Sequence, residues 1–137
     1  MANAVISGYI IMAEDLKCAC DSTNVALFSC SGASNVGQLS NQLAIELTEK
    51  GVGKMMCAVG IGGEVAGLLR SAEGCDRIIA IDGCPLNCTK KTLELAGLEV
   101  NRHILVTDLG IKKNKDLRVK GPELADTLEK VSEILAN

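Results

Sequence analysis

Tryptophan is absent from this chain, and phenylalanine and tyrosine occur once each. Proteins that grip single-stranded nucleic acid need aromatic platforms on which bases stack. The net charge is −3, with acidic and basic residues interspersed, so no basic stripe marks a nucleic-acid partner either. The one cationic run, Lys112-Lys113-Asn114-Lys115, reads as a solvated loop. Long apolar runs are also missing, and none reaches the length of a membrane span. The stretch Tyr9-Ile10-Ile11-Met12 has no cationic region before it and no clear cleavage site after it, so it does not read as a signal peptide. The expectation is a cytoplasmic chain with neither nucleic acid nor membrane as partner.

What is abundant is aliphatic. Of 137 residues, 47% are hydrophobic, so the core must be built from Val, Ile, Leu, Ala and Met. That length suits one domain around one core. Cysteine is the second excess, with seven residues. An odd count without a secretion signal argues against a disulfide framework and for thiols that bind metal or react.

Residues 1–23 read as an N-terminal extension containing Cys18-Ala19-Cys20, and residues 24–137 as one α/β domain. Within the domain, apolar runs over 25–29, 55–59, 77–81 and 103–107 read as strands buried on both faces. Helices are expected between them. The first starts near Asn35, carries Val36, Leu39, Leu43 and Leu47 on one stripe, and ends at Gly51. A turn over 60–63 precedes a second helix over 64–72, a third spans 85–96, and the last opens at Gly121-Pro122 and buries Leu124, Leu128, Val131 and Leu135. Alternating strands and helices predict a three-layer sandwich around a mainly parallel four-stranded sheet, Rossmann- or flavodoxin-like.

Right-handed crossovers bring every strand-to-helix loop to one edge of such a sheet, where ligands bind. This sorts the cysteines. Cys30 ends the first strand, Cys57 lies near the end of the second, and Cys84 ends the third, with Cys88 opening the following helix. Neighbouring strands stand about 5 Å apart, so thiolates from three of them could surround one ion. In Asp82-Gly83-Cys84-Pro85-Leu86-Asn87-Cys88, Pro85 suits the first helical position, which would place Cys84 at the cap and Cys88 one turn on, both on one face. Cys75 precedes the third strand and should lie at the opposite edge as a small hydrophobe. His103, the single histidine, begins the fourth strand and is expected far from the site in a structural or surface role. Cys18 and Cys20 also start at the wrong edge, although a lead this long could cross back.

Other signals are weaker. The loop Cys30-Ser31-Gly32-Ala33-Ser34-Asn35 could offer amides to an anion, but it lacks a Walker lysine and the arginine of a cysteine phosphatase. Gly60-Ile61-Gly62-Gly63-Glu64 matches a dinucleotide fingerprint only in part.

The loop from Cys30 to Gln38, the isolated Cys57, the segment from Asp82 to Cys88 and the run Val106-Thr107-Asp108-Leu109-Gly110 together resemble the DGC-domain family, small prokaryotic proteins named for the Asp-Gly-Cys triplet. The resemblance covers residues 24–135. It implies a four-cysteine zinc site, carried here by Cys30, Cys57, Cys84 and Cys88, and supplies no reaction. Three functions follow as expectations: a zinc-binding protein, a thiol redox or sulfur-handling enzyme using Cys84 or Cys88 with Cys30, and an adaptor whose zinc holds its loops. Thiolate sites also take iron–sulfur clusters or copper.

Overall fold

Four apolar segments line up as a parallel sheet: β1 (Val25–Ser29), β2 (Lys54–Met55), β3 (Arg77–Asp82) and β4 (Arg102–Leu105), in the order β2-β1-β3-β4. The computed structural model describes residues 23–137, so the extension with Cys18 and Cys20 lies outside the described residues. Every pairing is parallel, and β1 and β3 run in register from Val25–Arg77 to Ser29–Ile81. The chain therefore builds outward from β1 in one direction, then crosses back to β3. That is the strand order of flavodoxin-type doubly wound sheets, with the switch point between β1 and β3.

Side chains alternate across the sheet, so each strand feeds two cores. Leu27, Ile79, Ile81 and Ile104 face one side. There they meet α1 (Asn35–Glu49) and α5 (Gly121–Ala136) through Leu39, Leu43, Leu47 and Val131. Ala26, Phe28, Ile78 and Ala80 face the other side. They pack with Ile61, Ala72 and Leu93 from α2 (Ala58–Gly62), α3 (Ala66–Glu73) and α4 (Cys88–Leu95). The stripes expected for the first and last helices are the ones buried in the first core. Ser34 caps α1, its Oγ accepting from the Gly37 amide at 3.1 Å, and the helix begins at Asn35.

Three segments depart from the sequence expectation. The second strand stops after two residues, and the run expected to continue it to residue 59 turns into α2. Cys57 caps that helix with its sulfur, which accepts from the Gly60 amide at 3.3 Å. A β-carbon at Gly60 would strike Leu68 of α3, so the glycine lets the two short helices touch. The third segment of helix, expected from residue 85, begins only at Cys88. Pro85 and Leu86 form a turn closed by the Asn87 amide donating to the Cys84 carbonyl at 3.1 Å. Asn87 itself sits in the left-handed region at φ 54°. The fourth strand ends at Leu105 and passes into a 3₁₀ turn, Val106–Leu109, in place of a strand to residue 107.

Candidate functional site

The loops after β1 and β3 meet at the switch point, and glycine is what lets them meet. A β-carbon on Gly83 would stand 2.7 Å from the Val36 carbonyl carbon, and one on Gly37 would stand 2.6 Å from the Gly32 oxygen. The Cys30 amide donates to the Ile81 carbonyl at 2.9 Å, fixing the first thiol to the third strand. Burial pushes the Cys30 thiol up. The amides of Gly32 and Gly83 donate to its sulfur and pull the other way, while the nearby Asp82 and Cys88 add to the rise.

Asp82 organises the second loop. It is 1% exposed and accepts from the Thr89 amide at 2.8 Å and the Lys90 amide at 3.0 Å. These are first-turn amides of α4, which Asn87 leaves without a side-chain cap. The carboxylate thus acts as a remote cap and complements the positive helix end. His103 completes the set, with Nε2 2.9 Å from Asp82 Oδ2. Because the carboxylate only accepts, the ring proton lies on that nitrogen. His103 was expected far from this edge. Its strand is set forward, with His103 opposite Ala80, and its side chain falls on the same face as Asp82. Only the register reveals this partnership.

Cys30, Cys57 and Cys88 line one cleft of about 640 Å³, together with Met55, Met56, Gly62, Gly63 and Thr92. Cys84 does not line it. Its side chain packs against the α1 and α5 core, and Lys113 Nζ donates to its sulfur at 3.4 Å. The lysine loop is held in place by Asn35, whose side chain donates to the Lys112 carbonyl at 2.9 Å and accepts from the Asn114 amide at 2.6 Å. The turn at Pro85 is the reason the two cysteines of this segment part company. It delays the helix to Cys88, so Cys84 and Cys88 do not share a helix face.

Cys75 stands just before β3, donating to the Ser71 carbonyl at 3.3 Å and packing against the second core. Burial, then the Asp76 carboxylate, raises its thiol. It is at the edge of the sheet opposite the cleft, as its place before a strand implies.

Soft sulfur on a concave surface is the right chemistry for a thiolate-bound metal. The fit is incomplete. Among the described residues no three Cys, His, Asp or Glu side chains converge on one ion position. Among the described residues no imidazole or carboxylate lines the cleft, so they offer it no fourth ligand of zinc's usual kinds.

Comparison with known proteins gives a model match to the DGC domain over residues 26–131. The anaerobic and virulence modulator AnvM of Pseudomonas aeruginosa is 40% identical over 87 residues, which cover 64% of this chain. The aligned part spans 66% of AnvM, just under two thirds of its length. No solved structure matches. Among the described residues no helix is long and apolar enough to cross a membrane.

Proposed function

The chain belongs to the DGC-domain family, and from that premise we propose that it binds a metal ion, zinc, through the thiolates of Cys30, Cys57 and Cys88. The observation that carries this reading is the meeting of three of the five described cysteines on one cleft at the carboxyl edge of the sheet. Zinc takes four ligands in closed structural sites and three plus an exchangeable one in open sites. The cleft suits the second pattern, with a position left for water or a small ligand.

Cys84 stays outside this ligand set, because its sulfur points to the other face of the sheet and has Lys113 as its partner. The redox alternative loses Cys84 for the same reason but keeps Cys88 beside Cys30 in the cleft. Burial raises the thiol of Cys30, the resolving partner in that alternative, and disfavours its thiolate. AnvM is named as an anaerobic modulator. A related role here accords with a thiolate site, since oxygen and peroxide attack exposed thiolates.

Elemental analysis of anaerobically purified protein tests the assignment. Zinc near one equivalent is expected in the parent chain, lost in Cys88→Ser and kept in Cys84→Ser. Zinc unchanged in Cys88→Ser would refute the ligand set.

A further inference from the structure

The cleft that holds the three cysteines is also an apolar surface. Met55 is 36% exposed and Val59 83% exposed, and both line it with Met56 and Ala58. Among the described residues no charged side chain lines it. Single exposed apolar side chains are ordinary on a protein, but a group of them around one concavity marks a binding surface. β2 beside them is a two-residue edge strand, and among the described residues only β1 pairs with it. Its outer backbone groups are open to a further extended segment. The occupant that fits such a surface is an uncharged, apolar, extended peptide.

The chain carries one. From Ala2 to Ala13 no side chain is charged, and Tyr9-Ile10-Ile11-Met12 is the apolar centre of that stretch. Its tether to the domain is fixed. The Asn24 amide donates to Asp76 Oδ2 at 2.7 Å, and the Asn24 carbonyl accepts from the Asp76 amide at 2.9 Å. These bonds hold the chain at the amino edge of the sheet, where β1 begins. β1 is five residues long, so the carboxyl edge lies about 17 Å away. Residues 13–23, extended at about 3.3 Å each, reach about twice as far. We propose that the segment around Tyr9-Ile10-Ile11-Met12 returns to the carboxyl edge and docks its apolar side chains in this cleft of the same chain, covering Cys57 and Cys88. Both residues are exposed in the domain itself, so the docked segment sets how fast solutes reach their thiols. The docking needs no ion.

Metal-free, full-length protein is alkylated without oxygen, and each cysteine is followed by site-resolved mass spectrometry. The Ile10→Asp/Ile11→Asp variant puts two carboxylates into the segment and alters nothing in residues 23–137. Cys57 and Cys88 should alkylate about tenfold faster in it than in the parent. Cys75, at the opposite edge of the sheet, should react at the parent's rate, which excludes a general loss of folding. A photo-cross-linker carried at Tyr9 should join to Met55, Met56 or Val59 of its own chain. Equal rates at Cys57 and Cys88 in parent and variant, or cross-links confined to the amino edge, would overturn the proposal. Protection that grows with protein concentration would also overturn it, because the occupant would then be the segment of a second copy.

Discussion

Removing the Asp82 carboxylate leaves two α4 amides and the His103 ring without their acceptor in a buried place. Buried groups left unpaired cost about 1–3 kcal/mol, so Asp82→Ala should lower unfolding stability by about that much in a denaturant titration with unchanged slope. A loss within error would mean that α4 caps itself. Cys30 gives a pH prediction. Burial raises its thiol above the ordinary value of 9.0. Above that value the unfolded chain releases the proton while the folded chain still holds it, so stability is full below it and falls as pH rises. In metal-free protein Cys30 should therefore alkylate more slowly at pH 8 than free cysteine, as read by site-resolved mass spectrometry; faster reaction would show that burial does not hold its proton. At this scale the sequence was only partly legible. Cysteines and the Asp-Gly-Cys triplet are visible as letters. The Asp82–His103 pair depends on a strand register that no local pattern encodes.

Elements were legible where their hydrophobic period was long. The α1 stripe of Val36, Leu39, Leu43 and Leu47 is fully buried, as its spacing requires. Short elements escaped because tertiary contacts decide them. Two strand residues and a five-residue helix share one apolar run, and a cysteine cap with a glycine contact divides them. Proline misled at residue 85 because it suits a turn as well as a first helical position. The loops at the switch point depend on close approach more than on any side chain. Gly83→Ala would force a β-carbon into the Val36 backbone. Overpacking of this kind costs about 1–3 kcal/mol, so its thermal midpoint should drop, and metal loading should weaken because the Cys30 and Asp82 loops move apart. A variant with parent stability and parent loading would show that the loops yield freely.

For the whole molecule, the two cores lie on either side of the sheet, and none of the three cleft cysteines belongs to either. The fold therefore does not need the ion. Chelation should strip the metal and lower the midpoint through lost ligand binding, while the far-ultraviolet circular dichroism of the native chain persists. Unfolding on chelation, as in zinc fingers, would favour an adaptor whose zinc holds it together. The parallel architecture was legible as a whole because four apolar runs alternating with helices admit few other arrangements. The carboxyl-edge placement of Cys30, Cys57 and Cys88 follows from the strand order, whereas the way Cys84 turns is set by the Pro85 turn and is not written in any local pattern.

The most direct test of the account is the metal content of single cysteine variants of the full chain, purified without oxygen and measured by elemental analysis. The account predicts that Cys30→Ser, Cys57→Ser and Cys88→Ser each lose the metal while Cys84→Ser and Cys75→Ser retain it. Loss of metal in Cys84→Ser with retention in Cys57→Ser would contradict it.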